Sequence, residues 1–266
     1  MAAQPRAPWS GTLLFCLRPV LWLMDVLAIA GAIVRQGLRP LTWRRPVRAE
    51  FVRFLDLAGV QALPAVFGAG LLAGVSLIAQ ALYWLEQLGE VDLIRTVLTV
   101  VVVREIGPLL VALLVLGRGG LLLMSDLGRM RRTGEYRALD SQGIDPFLIV
   151  IVPRVLAISI GCFCLTIVFI VAAFASGYAA ASLLGLATVS PAGFAAEALG
   201  SIGASGYLVL PLKTLLMGLA IGAICSLTAL EVEPGHSKGQ SLLPRGFLRS
   251  VLAVFVVSGL ISLLGL

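Results

Sequence analysis

Long apolar segments constrain this chain more than any other feature of its sequence. Predominantly apolar stretches occur at 57–85, 93–117, 207–230 and 250–266, and a longer block lies at 147–186. An α-helix of about 20 apolar residues crosses the roughly 30 Å hydrocarbon core of a bilayer. Because 59% of the residues are hydrophobic and only 13% are charged, a water-soluble fold cannot bury them all. We therefore predict an all-α polytopic membrane protein.

The number of spans depends on the block at 147–186. It predicts one long tilted helix, and five spans in total, or two helices and six spans if Gly177 and Gly185 break it. A Gly/Ser/Ala-rich connection is expected at 187–206 and a polar loop at 231–249. The apolar run at 20–34 is too short to span and favours an interfacial helix. A signal peptide is the alternative there, but Asp25 and the Arg-rich segment that follows argue against it.

The basic residues predict the orientation of the spans. Segments 1–56 and 118–145 are rich in Arg, whereas 86–95 is mainly acidic and 187–206 has no Lys or Arg. Because basic loops stay on the cytoplasmic side, five spans place the N-terminus in the cytoplasm and the C-terminus outside. Residues 1–56 form an N-terminal helix and basic linker, and residues 57–266 form the membrane domain. Topology thus accounts for the net charge of +6, and no nucleic-acid partner is expected.

Catalytic and metal chemistry have little support in the sequence. The four cysteines lie in apolar stretches without a Cys-x-x-Cys pair, and His236 is the single histidine. Zinc sites and histidine-dependent acyl transfer need several such residues together. No P-loop occurs either, so ATP hydrolysis would have to come from a separate chain. We predict no catalytic residues, no metal and no bound cofactor.

Two charged residues, Arg104 and Glu105, interrupt the second apolar span and are followed by Gly107 and Pro108. A charge at the centre of a bilayer costs at least about 2.5–3.5 kcal/mol on insertion scales. Adjacent helical residues point about 100° apart, so each charge needs its own partner or access to water. Pro108 is expected to bend or break the helix. The pair is either a structural polar knot or part of the lining of a transport path.

The segment 118–145 alternates apolar and charged residues at near-helical spacing, which predicts an amphipathic cytoplasmic helix at about 119–142. Gly143 and Asp145-Pro146 would end it. Its mixed charge favours contact with a protein over binding to the anionic membrane surface. The residues predicted to make that contact are Asp126, Arg129, Met130, Arg131, Glu135, Leu139 and Asp140.

Two pairs of glycines have the spacing that brings membrane helices into close contact. They are Gly70 and Gly74 in the first span, and Gly218 and Gly222 in the fourth. The spacing indicates either packing within one bundle or a dimer seam.

Several of these motifs together resemble the MlaE/YrbE permease family, the membrane subunits of ABC transporters that work with MCE proteins. The resemblance rests on Arg104–Pro108, Gly117–Gly120, Leu127-Gly128-x-Met130-Arg131, Ile144–Pro146 and Pro153-Arg154. It covers about residues 50–265 and implies an interfacial N-terminal helix followed by five spans. The segment 119–142 would be the coupling helix of a permease domain.

The resemblance also implies partners and a place in the cell. Such permeases sit in the bacterial inner membrane as homodimers or heterodimers and bind two cytoplasmic ABC ATPase subunits, which hold the ATP. They move phospholipid or another lipid between that membrane and a periplasmic MCE protein. On this basis Gln80 and Tyr83 are expected to line the lipid path with Arg104 and Glu105.

The coupling segment departs from the family pattern. Asp126 stands where the family usually has Glu, and Gly134 interrupts the turn 133–135 and should loosen a helix by about 1 kcal/mol relative to Ala. A non-transporting scaffold is therefore an alternative function, and an ion-coupled carrier that uses Glu105 is another.

Overall fold

The computed structural model describes residues 9–88, 102–183, 191–231 and 242–264, and every regular element in these ranges is helical. A short 3-10 turn at Pro40–Thr42 and another at Val60–Ala62 flank the second helix. The α-helices are α1 (Trp9–Gly37), α2 (Arg45–Ala58), α3 (Leu63–Leu88), α4 (Gly107–Val115), α5 (Leu121–Thr133), α6 (Glu135–Ser141), α7 (Val152–Leu183), α8 (Pro191–Leu230) and α9 (Leu242–Leu264).

Five stretches of the described chain are long and apolar enough to cross a membrane, which confirms the predicted polytopic α-helical fold. They are Arg45–Leu77, Arg104–Thr133, Phe147–Leu183, Tyr207–Leu230 and Pro244–Leu263. The third is one uninterrupted helix, in which Gly177 is buried rather than a break. Five spans is therefore the correct reading of the described segments. We call the end of the bundle that carries α6 the α6 end.

Three helices have ends that differ from the sequence-based expectation. α8 begins at Pro191, so most of the connection expected at 187–206 is helical. Its alanines favour helix, and proline fits the first helical position. α9 begins at Leu242, with Pro244 in its first turn, so the loop expected at 231–249 is shorter. α1 extends on both sides of the predicted run at 20–34 and ends before Pro40, as the prolines of this linker predict.

The expected helix at 119–142 is two helices rather than one. A π-helical turn at Leu116–Gly120 joins α4 directly to α5, so α5 continues the second span. Gly134 ends α5 in the left-handed conformation with a φ of 81°, a region that glycine adopts without strain. The sequence analysis treated Gly134 as a weak point within a helix, whereas it separates α5 from α6. Gly143, with a φ of 75°, follows α6 as predicted.

α7 lies at the centre of the bundle and contacts α1, α2, α3, α4 and α8. On one side, Gly70 of α3 approaches it so closely that an added Cβ would lie 2.8 Å from the carbonyl oxygen of Phe169. On another side, an added Cβ on Gly218 of α8 would lie 2.6 Å from the Cα of Ser159. Gly74 and Gly222 make equally close approaches to Ala173 and Val155. Both glycine motifs therefore serve helix packing within this chain.

The N-terminal helices pack on the same bundle. Val47, Phe54 and Ala58 of α2 are buried, and α2 runs past residue 57 before the chain bends at Gly59. Ile33 of α1 is fully buried, and α1 contacts α7 and α8. The division of the chain at residue 57 and the placement of α1 in the membrane interface stay predictions.

Substituting Gly74 tests this packing. We expect Gly74→Ala to destabilise the bundle by about 1–3 kcal/mol, because the new methyl group would overlap the backbone of α7 at Ala173. Thermal unfolding of the detergent-solubilised protein measures the change. Gly68→Ala in the same helix is the matched control, since nothing lies within 4 Å of that Cβ position. There the better helix propensity of alanine should leave the midpoint unchanged or raise it. Equal effects of the two substitutions would contradict the packing role.

Candidate functional site

The site begins with a missing backbone hydrogen bond in the second span. Pro108 has no N–H, so the carbonyl oxygen of Arg104, four residues earlier, lacks its usual helical donor. The turn around that carbonyl, Val102–Ile106, is π-helical. The ammonium group of Lys213 on α8 donates to the Arg104 oxygen at 2.9 Å and so replaces the absent N–H. The sequence Arg104–Pro108 thus creates an acceptor that a neighbouring helix fills.

Lys213 is buried inside the bundle and paired with Glu105. Its side chain is 1% exposed, and Nζ lies 2.8 Å from Oε2 of Glu105. The same ammonium donates to the Ser262 hydroxyl at 2.8 Å. Together with the Arg104 carbonyl, these acceptors use all three N–H groups of the lysine. A buried charge is tolerated only when it is paired and hydrogen-bonded in this way.

Two serines of α9 complete the surroundings of Glu105. The Ser262 hydroxyl lies 2.6 Å from Oε1, and the Ser258 hydroxyl lies 3.5 Å from Oε2. The cluster of Glu105, Lys213, Ser258 and Ser262, here called the Glu105 cluster, therefore joins the second, fourth and fifth spans. It lies roughly 25 Å along α8 from Leu230, at a rise of 1.5 Å per residue, which is less than the roughly 30 Å thickness of a hydrocarbon core.

The two charged members of the Glu105 cluster differ in accessibility. Lys213 is enclosed, whereas the Glu105 side chain is 45% exposed on the surface of the single chain. The lysine of the ion pair is therefore enclosed by the bundle, and the glutamate is accessible at the surface of the chain.

A second polar cluster lies at the α6 end. Arg154 at the start of α7 is 5% exposed, and its guanidinium lies 2.7 Å from Glu50 on α2 and 2.7 Å from Asp126 on α5. It also stacks over the Phe54 ring at 5.5 Å from the centroid. The planar guanidinium suits two carboxylates and an aromatic face at once. This Arg154 cluster ties together the first, second and third spans.

Ionic contacts extend from the Arg154 cluster into α6. Arg129 lies 3.3 Å from Asp126 and 3.1 Å from Glu135, so it bridges the two helices that meet at Gly134. Arg131 donates to the carbonyl oxygen of Leu230 at 2.9 Å and stacks over Tyr136. The orientation of α6 is therefore fixed by contacts to α5, and α5 itself is fixed to the end of α8.

The predicted coupling residues separate into internal and accessible ones. Met130 is buried, Asp126 binds Arg154, and Arg131 binds α8. Leu139 is half-buried and packs on the core. Glu135 and Asp140 on α6 and Arg129 on α5 are exposed. A partner protein at this end would meet α6 first, while α5 contributes mainly to the bundle interior.

The predicted lipid-path residues are only partly brought together. Arg104 and Glu105 lie in the site, but Gln80 is exposed on α3 and has no hydrogen bond to the Glu105 cluster in the described part of the chain. The side chain of Tyr83 lies outside the described residues. Within those residues, no group of three or more His, Cys, Asp or Glu side chains is arranged to hold a metal ion.

Sequence analysis missed the partners of both charged clusters. Lys213 is not among the predicted site residues, although it is one of only two lysines in the chain and lies in an apolar span. That isolation was a usable signal, because intramembrane charges pair with one another. The pairing of Arg154 with Glu50 joins residues more than 100 positions apart, and no local pattern points to it.

A double-mutant cycle tests the Glu105–Lys213 pair. We expect Lys213→Met and Glu105→Gln each to destabilise the protein, because each leaves a polar partner without its counter-charge. The double variant should recover about 1–2 kcal/mol of the summed loss, a moderate coupling because Glu105 is partly exposed. Unfolding by denaturing detergent measures all four proteins. Strict additivity of the two single effects would show that the pair is not coupled.

Comparison with known proteins agrees with this architecture. A family model described as Permease MlaE matches residues 51–264. A probable ABC transporter permease protein of Rickettsia prowazekii (strain Madrid E) is 30% identical over 127 residues, 48% of this chain and 49% of that protein. The intermembrane phospholipid transport system permease protein MlaE of Haemophilus influenzae is 32% identical over 119 residues, 45% of this chain and 46% of that protein.

The aligned regions span about half the length of these curated relatives. The family model, by contrast, extends from α2 to the last residue of α9 and takes in both polar clusters apart from Glu50, one residue before the matched range. Because it matches most of the sequence, this chain is a member of the MlaE permease family.

Proposed function

We propose that this chain is the membrane subunit of an ABC transporter that moves phospholipid or a similar lipid, and that the Glu105 cluster belongs to the lipid path. The observation that carries the proposal is the asymmetric ion pair, with Lys213 enclosed and Glu105 half exposed. Membership of the MlaE permease family supports the role of a permease for this chain. The name of the Haemophilus relative supports phospholipid as the substrate of the proposed transporter.

The chemistry of the cluster suits a phosphate headgroup. Arg104 neighbours Glu105, and guanidinium groups bind phosphate through charge-assisted hydrogen bonds. A phosphate that approaches Glu105 would compete with the carboxylate for the lysine ammonium. The serine hydroxyls of α9 can donate to either anion. Transient exchange of this kind would let the protein hold a headgroup in the membrane without creating an unpaired charge.

Energy for transport would come from partner subunits. We propose two cytoplasmic ABC ATPase subunits at the α6 end, a second permease copy that is the same chain or a paralogue, and a periplasmic MCE protein at the opposite end. The Arg distribution supports a cytoplasmic N-terminus, and membership of the MlaE permease family supports a place in the inner membrane. This chain would then contribute no catalytic group, and ATP would bind only to the partner.

The Arg154 cluster offers a route from the ATPase to the spans. Movement of α6 would pass through Arg129 to Asp126, and from there through Arg154 to Glu50 on α2. α2 is the first part of the first span and continues into α3 through the turn at Gly59. Arg129 and Asp126 both lie on α5, and the other contacts on this route are charge pairs between different helices. Displacement of one helix would therefore change the electrostatic energy of the next.

Lipid transfer in a reconstituted complex tests the role of the Glu105 cluster. We expect Arg104→Ala and Glu105→Ala to lower lipid transfer and lipid-stimulated ATP hydrolysis by about tenfold or more, equivalent to at least about 1.4 kcal/mol. Binding of the ATPase should persist, because the cluster is far from the α6 end. Thr166→Val is the control, since that buried hydroxyl bonds only to the Cys162 carbonyl in its own helix. Unchanged transfer in both alanine variants would exclude the proposed path.

Charge reversal on α6 tests the proposed ATPase contact. We expect Asp140→Arg to reduce co-purification of the ATPase, because Asp140 is exposed on a helix without buried residues and its replacement should leave the fold intact. Asp126→Arg is unsuitable, since it would also break the buried contact to Arg154. Arg48→Glu, an exposed charge reversal on α2, is the control. Absence of any bound ATPase with the unmodified chain would favour a scaffold instead, and transfer driven by a proton gradient without ATP would favour an ion-coupled carrier.

A further inference from the structure

A pocket at the α6 end is not used by the transport path proposed above. It has a volume of about 300 Å³ and opens between α2 and α5, beside Arg154. Phe54, Leu57 and Leu122 form an apolar part of its wall. The size is at the lower end for small-molecule sites and suits a compact polar group with the start of an apolar chain.

The charged groups around the pocket leave an excess of positive charge. Four arginines line it, against two carboxylates, Glu50 and Asp126. The shortest contacts of both carboxylates, 2.7 Å each, go to the buried Arg154. Arg53, whose side chain is 70% exposed, reaches Glu50 only at 3.7 Å. Arg132 is exposed and makes no ion pair with any described residue. Two guanidinium groups at the rim are therefore available to an anion.

The position of the pocket matches the boundary between membrane and water. Its walls come from the first part of the span Arg45–Leu77 and the last part of the span Arg104–Thr133, and Arg154 lies near the start of the span Phe147–Leu183. Because charged side chains are costly in the hydrocarbon core, we expect all three spans to reach the bilayer surface at the level of the pocket. Phosphate groups of lipids lie at that level, with their acyl chains directed into the bilayer.

We propose that this pocket binds the headgroup of an anionic phospholipid as a resident ligand, distinct from the transported lipid. The rim arginines would hold the phosphate, and the apolar wall would receive the glycerol and the first part of an acyl chain. Basic pockets between membrane helices at the cytoplasmic side are suited to anionic headgroups. The inference does not depend on the transport activity proposed above.

Lipid binding here would act on the contacts that join the spans. The anion would lie next to Glu50 and Asp126, the two carboxylates that share Arg154. Its negative charge would draw Arg53 and Arg129 away from those carboxylates. The ion pairs of Glu50 and Asp126 with Arg154 would then become stronger. The lipid composition of the membrane would thereby alter how tightly α2, α5 and α7 are connected.

Binding of short-chain lipids to the purified full-length chain tests the proposal. Native mass spectrometry gives affinities for dihexanoyl phosphatidylglycerol, for its phosphatidylcholine counterpart and for free glycerol phosphate. We expect Arg53→Gln with Arg132→Gln to weaken phosphatidylglycerol binding by about tenfold or more and to leave phosphatidylcholine binding unchanged. Arg48→Gln with Arg137→Gln removes two exposed arginines of α2 and α6 that do not line the pocket, and serves as the matched control. Lys213→Met, which alters the Glu105 cluster, should bind phosphatidylglycerol as tightly as the unmodified chain does.

Distinct results would overturn the proposal. Equal weakening by the control pair would indicate a general charge effect, and glycerol phosphate that binds as tightly as the lipid would indicate a soluble anion. If Arg53→Gln with Arg132→Gln leaves lipid binding unchanged but abolishes binding of the ATPase, the pocket is a protein contact instead. Loss of binding with Lys213→Met alone, in protein that circular dichroism shows to be folded, would assign the bound lipid to the transport path. A photoactivatable phosphatidylglycerol on the unmodified chain gives an independent measure, and crosslinks to α2 and α5 are expected.

Discussion

The structure depends on one electrostatic requirement: the buried ammonium of Lys213 needs three hydrogen-bond acceptors inside the bundle. It obtains them from the second span, through Glu105 and the Arg104 carbonyl, and from the fifth span, through Ser262. Since unpaired charge is costly in hydrocarbon, these spans are held in one register along the membrane normal. The apolar surfaces between them would tolerate sliding far more readily than this cluster does.

The helical membrane fold was predictable because it depends on local chemistry. About 20 apolar residues identify a span wherever they occur, and the five predicted spans correspond to the five found in the described chain. Helix ends were harder to predict, because alanine-rich and proline-led segments such as Pro191–Gly206 resemble a connection in composition yet are helical. Gly134 shows the same limit, since whether glycine weakens a helix or ends it depends on the φ that the surrounding packing imposes.

The candidate site was predictable only in part, for a different reason. Arg104, Glu105 and Pro108 stand out because charge and proline are unusual within an apolar segment. Their partners lie on helices that are more than 100 residues away in sequence. The same holds for Arg154 and Glu50. Such long-range pairs depend on how the helices pack against one another, and that packing cannot be read directly from one sequence. Asp126 is an example: its contact with a partner stays a prediction, and its pairing with the internal Arg154 could not be predicted.

The acceptor left by Pro108 also has a consequence during synthesis. The chain is made from its N-terminus, so the second span is made before the fourth, which brings Lys213 to the Arg104 carbonyl. Ser258 and Ser262 follow only with α9. A chain that ends before α9 would therefore leave one N–H group of the buried ammonium without its acceptor Ser262, and a buried donor without an acceptor is costly.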